Sequence, residues 1–212
     1  MKNLKRIAIT LLVLFMLVPS FVFANSVEET PELKAKIENI VKTMPEDKAI
    51  DAIEELFGEK DLPNFSFRSA GQKNFKIYYK DKEKESKSNK AFTNESKIEV
   101  KNGFVYINLE TQYMEYLGKR ADVTKVIIMG QSGKEYTGKI LSEKEAVQKN
   151  GKLVPEKIII EVPESEIEDG FGKYNSMLKV KFETNLRDSF IIIGDIFPDA
   201  MINPQARILF NS

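Results

Sequence analysis

Residues 156–184 read EKIIIEVPESEIEDGFGKYNSMLKVKFET and contain two segments with the alternation that is typical of β-strands. Apolar side chains at every second position predict one buried and one exposed face for each segment. The glycines and the proline between the two segments predict a turn. We therefore expect a β-hairpin here. Its alternating apolar positions are Ile158, Ile160 and Val162 on the first strand and Leu178, Val180 and Phe182 on the second.

Tyr174 precedes the second apolar run and is expected to enter that strand. Residues two and four positions apart share one face of an extended strand, so Tyr174 should point the same way as Leu178 and Val180. This placement is compatible with two interpretations. Tyr174 is either part of a ligand pocket at the mouth of the hairpin or an apolar plug with a polar tip.

The first 24 residues have the composition of a secretory signal peptide. Lys2, Lys5 and Arg6 precede an apolar run over residues 7–18, and Ala24 supplies a small residue at the expected cleavage position. The apolar run is short for a membrane span. We expect an exported protein that is secreted, cell-surface associated or periplasmic, with no transmembrane span after removal of the signal.

The composition excludes several kinds of functional site. The chain of 212 residues has no Cys and no His, which excludes disulfides, thiolate metal sites, imidazole zinc sites and a Ser-His-Asp triad. Lys and Arg number 32, as do Asp and Glu. This balance gives no basic excess for nucleic acid binding. The acidic residues are scattered among lysines, so we expect no enzymatic activity.

The remaining chain divides into a helical part and a β-rich part. Helical spacing of apolar residues predicts two short helices over residues 31–57, separated at Pro45, within an N-terminal segment 25–61. Short strands separated by turn signals predict a β-sandwich over residues 62–212. The fold class expected is therefore mainly β, an immunoglobulin-like antiparallel β-sandwich preceded by a short N-terminal helical hairpin.

Several strands of this sandwich are expected at definite places. Asn102-Gly103 between two alternating segments is typical of a tight hairpin. A buried strand at 126–129 should pair with 136–141, and residues 143–152 should form a loop. Further strands are expected at residues 65–67, 75–79 and 189–193, with an edge strand near 208–210 and either a strand or a turn at 112–117.

Three stretches in this order resemble the NEAT domains of bacterial haem uptake. They are YKDKEKESKSNKAF at residues 79–92, KNGFVYINL at 101–109 and FGKYNSMLKVKF at 171–182. The resemblance covers about residues 74–184 and leaves a C-terminal extension, 185–212, outside it. It implies an immunoglobulin-like sandwich with a haem pocket between the last hairpin and a short helical turn that follows the first strand.

The resemblance also implies roles for particular residues. Ser86 resembles the serine that holds a haem propionate, Phe92 is similar in place to the aromatic residues of the turn, and Tyr174 looks like the tyrosine whose phenolate binds the haem iron. Two further pocket positions depart from the family pattern. Ala91 stands where the turn usually has an aromatic residue, and Leu178 stands where a second tyrosine is usual. The implied function is haem or iron acquisition or relay, with haem or haem-carrying proteins as partners.

A second function is compatible with the same fold. A non-haem β-sandwich could bind a host or envelope protein through its loops or through a strand edge. Ala91 and Leu178 favour this alternative, because they remove aromatic and polar parts of the pocket. Hemin binding would separate the two functions.

Overall fold

The computed structural model describes residues 28–59 and 73–212. The expected signal peptide and the alternating Phe65 and Phe67 lie outside these residues. Within the two described ranges, no helix is long and apolar enough to cross a membrane.

Short antiparallel strands dominate the described chain. Their bounds are β1 (Phe75–Tyr79), β2 (Lys97–Lys101), β3 (Phe104–Glu110), β4 (Met114–Tyr116), β5 (Lys119–Ala121), β6 (Val123–Met129), β7 (Glu135–Thr137), β8 (Lys139–Glu145), β9 (Leu153–Pro163), β10 (Glu168–Asp169), β11 (Ser176–Thr184) and β12 (Gln205–Phe210).

Two antiparallel sheets form a β-sandwich. One sheet has the order β1-β12-β11-β6-β7, with β10 paired to β11, and the other has the order β2-β3-β9-β8. The small hairpin β4-β5 is separate from both. The expected fold class, an antiparallel β-sandwich preceded by short helices, is confirmed.

The space between the two sheets is filled by apolar side chains from alternate strand positions. The alternation expected from the sequence is confirmed on both β9 and β11, since their predicted apolar positions are almost fully buried. The sandwich core includes Phe75, Ile77, Ile107, Ile128, Ile158, Ile160, Val162, Leu178, Val180, Phe182, Ile208 and Phe210.

The prediction that residues 156–184 form a β-hairpin is wrong. β9 pairs with β3 and β8, whereas β11 pairs with β12, β6 and β10, so the two strands belong to opposite sheets. Alternation identifies the buried face of a strand but not its neighbour in the sheet, and two strands that face each other across a sandwich have the same pattern. The start of β11 at Ser176 also leaves Tyr174 in the preceding turn.

The hairpin at Asn102-Gly103 is confirmed. Both residues have positive φ angles, 55° and 76°, and they connect β2 directly to β3. Such angles match the two-residue turn that follows the natural twist of paired strands. The local sequence therefore determines this connection.

The chain changes sheets at Gly138. The expected pairing of residues 126–129 with 136–141 holds for β7, which pairs with β6, but β8 then pairs with β9 in the other sheet. A Cβ atom at Gly138 would overlap the side chain of Ile158. Glycine allows the backbone to pass close to the core at the crossing. The loop expected at 143–152 begins only after β8 ends at Glu145.

Two expectations near the C-terminus are wrong. Residues 189–193 form no strand, because Leu186–Ser189 is a 3-10 helix and Ile191 and Ile192 project into solvent. The last strand is not at an edge, since β12 lies between β1 and β11. An apolar run does not distinguish a strand from an apolar loop, or an edge strand from a central one. Tertiary packing decides both questions.

The two expected N-terminal helices are confirmed as α1 (Pro31–Thr43) and α2 (Glu46–Leu56). The Thr30 side chain accepts a hydrogen bond from the Leu33 N–H and caps α1, and Pro45 separates the helices. A third helix, α3 (Asp199–Ile202), is a single turn.

These helices do not stand alone but belong to a second apolar cluster. The helical pair packs against the β4-β5 hairpin and residues 186–202. We call the helical pair and residues 186–202 together the helical layer. Ile37 of α1 and Ile53 of α2 are fully buried in this cluster. The buried members are Ile37, Ile53, Tyr116, Leu117, Ala121, Leu186, Phe190, Ile193, Phe197, Met201 and Ile202.

Candidate functional site

Ser86 starts a short 3-10 helix, Lys87–Ala91, which we call the Ser86 turn. The Ser86 N–H donates to the Ile77 carbonyl of β1 at 2.8 Å, which fixes the position of the turn beside the first strand. The Ser86 hydroxyl oxygen accepts a hydrogen bond from the Ser88 N–H at 3.2 Å. The hydroxyl thus caps the turn and still has its own proton to donate.

Two polar side chains hold the other end of the Ser86 turn. The Asn89 side chain accepts from the Ile77 N–H at 2.9 Å and donates to the Ile77 carbonyl at 2.7 Å. The Lys73 ammonium donates to the carbonyls of Asn89 and Phe92. Burial lowers the pKa of Lys73 to about 8, with Lys76 adding to the effect. The turn is therefore rigidly attached to the sandwich.

A cleft of about 790 Å³ lies between the Ser86 turn and the helical layer. Its volume is within the range of small-molecule pockets. Its apolar surface includes Met114 and Tyr116 of β4 together with Leu186 and Met201 of the helical layer. Ser86 is among its lining residues, so the turn that the sequence singled out does border a cavity.

The charges around the cleft are distributed unevenly between its two walls. The wall formed by α2 and the residues after it carries carboxylates, and the wall formed by the segment between β1 and the Ser86 turn carries lysines. The acidic residues of the first wall are Glu46, Asp47, Asp51, Glu54, Glu55 and Glu59, and the second wall carries Lys80, Lys82, Lys84 and Lys87 together with one carboxylate, Asp81.

A hydrogen-bonded network joins these two walls at one end of the cleft. Lys87 Nζ lies 3.1 Å from Glu54 Oε1 and 3.3 Å from Glu59 Oε2. The Tyr116 hydroxyl donates to Glu54 Oε1 at 2.6 Å, and the Leu117 N–H donates to Glu59 Oε1 at 2.6 Å. Burial, reinforced by Glu54, raises the pKa of Tyr116 well above its ordinary value. Tyr116 therefore remains a neutral hydrogen-bond donor.

Tyr174 lies apart from the cleft. It occupies a turn in which its N–H donates to the Phe171 carbonyl at 3.2 Å, and it does not line the cavity. Its neighbours are on the solvent-facing side of β1, where Tyr78 packs edge-on against Phe171 with ring centroids 5.3 Å apart. Burial raises the pKa of Tyr174, while the positive charge of Lys76 opposes that change. The structure thus does not bring Tyr174 and Ser86 into one cavity.

The other three pocket residues expected from the sequence lie inside the sandwich. Ala91, Phe92 and Leu178 are between 0% and 2% exposed and belong to the core between the sheets. Phe92 packs against Phe182, with ring centroids 5.5 Å apart. These side chains have no surface on the cleft, and their apolar character is explained by core packing.

Several residues of the cleft were missed by the sequence reasoning. Tyr79, Tyr116, Met114 and Met201 line the cavity, and Glu54 and Glu59 close one end of it. One signal was present in the sequence: acidic residues on the polar face of α2 are opposite in charge to the lysines of a run at residues 80–90. Complementary charge indicates that two segments can meet, but it does not show which apolar residues lie beneath them.

The described residues contain no group of three or more acidic side chains placed to hold a metal ion. The side chains that the sequence offers as metal ligands are oxygen and thioether groups, because His and Cys are absent from it.

No family model matches the chain, and no curated protein matches it. Among solved structures, it is similar to "NEAT5 domain of IsdX2, a B. anthracis hemophore in complex with heme", at 17% identity and a TM-score of 0.34, over 64% of this chain and 88% of that one. It is also similar to a mutant of the same IsdX2-NEAT5 domain in complex with heme, at 17% identity and a TM-score of 0.36, over 64% and 87%. Similarity at this level leaves the function to be argued from the residues of the chain itself.

Proposed function

We propose that this protein binds haem in the cleft beside Ser86 and takes part in haem or iron acquisition or relay. The observation that supports this function best is the cleft itself, about 790 Å³ in volume, with apolar and aromatic side chains on its surface and lysines along one wall. A flat apolar ligand with carboxylates at one edge matches this distribution. The Ser86 turn, which the family resemblance assigns to propionate binding, forms part of the same wall.

The side chains of the chain fit the chemistry of a haem site. Tyrosinate and methionine are known axial ligands of haem iron, and the chain lacks the alternatives His and Cys. Bound haem would supply the iron, and the chain would supply an oxygen ligand, apolar contacts and cations for the propionates. Ser86 has a hydroxyl proton that can be donated to a carboxylate.

Two tyrosines are candidates for the iron ligand. Tyr174 is the ligand that the family resemblance assigns, and Tyr79 is a tyrosine that lines the cleft together with Ser86. Tyr116 also lines the cleft, but its hydroxyl is already engaged as a donor to Glu54 Oε1. Replacing Tyr174 and Tyr79 separately will identify the ligand.

Hemin titration of the purified protein, followed by its Soret absorption, tests the proposal. We expect saturable binding by the unmodified protein and loss of the tyrosinate features in either Tyr174→Phe or Tyr79→Phe, since phenylalanine keeps the ring but removes the oxygen. Tyr113→Phe is the matched control, because Tyr113 is 46% exposed and does not line the cleft. Absence of saturable binding would contradict the proposed function, and an unchanged spectrum in Tyr174→Phe would exclude the ligand that the resemblance assigns.

A protein-binding module is the second candidate function, and one observation favours it. Ile191 is 95% exposed and Ile192 is 41% exposed, side by side in the helical layer. Adjacent exposed apolar side chains are compatible with a contact to another protein. Failure to bind hemin, together with capture of a host or envelope protein that Ile191→Ser abolishes, would support this function.

We also propose that the protein is exported. The support is the sequence of residues 1–24, with its basic start, apolar run and Ala24. N-terminal sequencing of the protein recovered from outside the cytoplasm should begin at Asn25. An intact Met1 in that fraction would contradict cleavage at this site.

A further inference from the structure

Lys87 is much less exposed than Lys82, which lies on the same wall and also pairs with a carboxylate of α2. Its side chain is 17% exposed, compared with 63% for Lys82 on the same wall. Its ammonium also lies 5.0 Å from the centre of the Tyr116 ring. A lysine this far from water requires a counterion. A carboxylate paired with Lys87 is therefore a partly buried component of the cleft.

The present counterions of Lys87 are two carboxylates for one ammonium. Glu54 and Glu59 both lie within 3.3 Å of Lys87 Nζ, and their side chains are only 20% and 22% exposed. Each carboxylate has one further donor, from Tyr116 or from the Leu117 backbone. Two like charges around one cation repel each other. Loss of one of them would still leave Lys87 neutralised.

Both carboxylates come from α2 or from the residues directly after it. α2 also forms one wall of the cleft, so it stands where a ligand must pass or settle. A second ion pair from α2 across the cleft joins Lys82 and Asp51, which are 3.7 Å apart and both more than half exposed. Exposed pairs of this kind contribute little. The Lys87 network, which joins α2 to the Ser86 turn, is shorter and more enclosed than this pair.

We propose that Lys87 is the residue of the cleft that binds a carboxylate of the ligand, and that Glu54 and Glu59 occupy it as internal competitors until the ligand arrives. This inference rests on the proposed function, because it takes haem, with its two propionates, as the ligand. α2 is then an acidic lid whose ion pairs are exchanged for those of the ligand. Lys87 is then neutralised in both states, by the lid before the ligand binds and by the ligand afterwards.

The proposal predicts opposite effects for changes on the two sides of the network. Glu54→Gln and Glu59→Gln, made singly, keep a hydrogen-bond acceptor but remove one competing charge, so hemin affinity should rise about tenfold, equivalent to about 1.4 kcal/mol. Lys87→Met should lower hemin affinity by a similar factor. Glu38→Gln is the matched control, since Glu38 lies on α1, is 54% exposed and does not line the cleft.

A porphyrin without carboxylates separates this mechanism from a general loosening of the fold. Iron octaethylporphyrin should bind the unmodified protein and the Glu54→Gln and Glu59→Gln variants equally, and Lys87→Met should not weaken it. Thermal unfolding of each variant checks that the fold is retained. Equal gains for both porphyrins would overturn the proposal, as would unchanged hemin affinity in both glutamine variants.

Failure of the proposed function would look different. In that case the unmodified protein itself would not bind hemin, and neither would any variant. If the unmodified protein binds hemin saturably and substitutions of Glu54, Glu59 and Lys87 leave the affinity unchanged, the proposed function stands and only the lid proposal is contradicted.

Discussion

Single residues at the N-terminal end illustrate how contacts across the chain give a side chain its role. Glu29 precedes α1, and its carboxylate accepts hydrogen bonds from the N–H groups of Ile191, Ile192 and Ile193. Lys119 Nζ lies 3.5 Å from the same carboxylate. Consecutive N–H groups that converge on one point form an anion-binding nest. Glu29 thus fastens the start of the helical layer to its C-terminal part.

Glu29→Gln should reduce the free energy of unfolding by about 1–3 kcal/mol, because charge-assisted hydrogen bonds are lost. Burial alone would raise the pKa of Glu29, but the three N–H groups and Lys119 together lower that pKa below its ordinary value. Its contribution is therefore complete above the ordinary pKa and disappears as the pH falls through the folded value. Chemical denaturation between pH 7 and pH 3 measures this.

The matched control is Glu28→Gln, which removes a neighbouring exposed carboxylate. It should leave the stability nearly unchanged. An equal loss of stability in the two variants at pH 7 would contradict the role assigned to Glu29.

None of the contacts of Glu29 or Lys73 could be predicted from the sequence. The Glu29 carboxylate meets backbone groups more than 160 residues away, and Lys73 meets carbonyls at Asn89 and Phe92. Charge patterning describes such residues as solvated, since it has no information on long-range neighbours. Ser86 was identified from the sequence through the resemblance of its segment to a family motif, but its position beside a cleft is known only from the structure.

At the scale of elements, β12 shows how much depends on the order of the strands. It pairs with β1 on one side and β11 on the other, and Ile208 faces the core with no exposed surface. A strand in the middle of a sheet is held by two ladders of hydrogen bonds as well as by its side chains. The apolar pattern predicted the strand but placed it at the edge.

Ile208→Ala should lower the free energy of unfolding by about 2–5 kcal/mol, because it leaves a cavity in the sandwich core. Leu153→Ala is the matched control, as Leu153 is in β9 but 62% exposed. It should change stability by less than about 0.5 kcal/mol. Urea denaturation of both variants measures the difference, and similar values for the two would contradict a central position of β12.

Local signals explain which elements were predicted correctly. Asn102-Gly103 defines its own turn and Pro45 separates α1 from α2, because each acts on the backbone within a few residues. The pairing of β9 and β11 could not be obtained in this way. Both strands have an apolar face, and their assignment to opposite sheets depends on strands from the rest of the chain.

At the scale of the molecule, the described chain has two apolar clusters with a cleft between them. The sandwich core and the cluster of the helical layer have separate buried members, and Met114 packs against both. Regions with separate cores can open at different free energies. The wall of the cleft that includes α2 belongs to the smaller of the two clusters.

Ile53→Ala should increase amide hydrogen exchange in α1, α2 and residues 186–202 while the strands of the sandwich keep their protection. Ile53 is fully buried in the helical layer and is not a member of the sandwich core cluster. Exchange followed by mass spectrometry measures this difference. Val180→Ala is the comparison, since it should raise exchange in the sandwich, and uniform loss of protection in Ile53→Ala would contradict separate opening.

The position of β12 has a consequence for how the molecule is assembled. Arg207 of β12 donates to the carbonyl of Tyr79 at the end of β1, 128 residues earlier. Contacts between such distant parts of a chain form slowly. Until β12 arrives, β1 and β11 present two unpaired edges across a gap one strand wide. That gap accepts the same strand from a second molecule equally well, so exchange of β12 between copies is the expected route to dimers during refolding at high concentration.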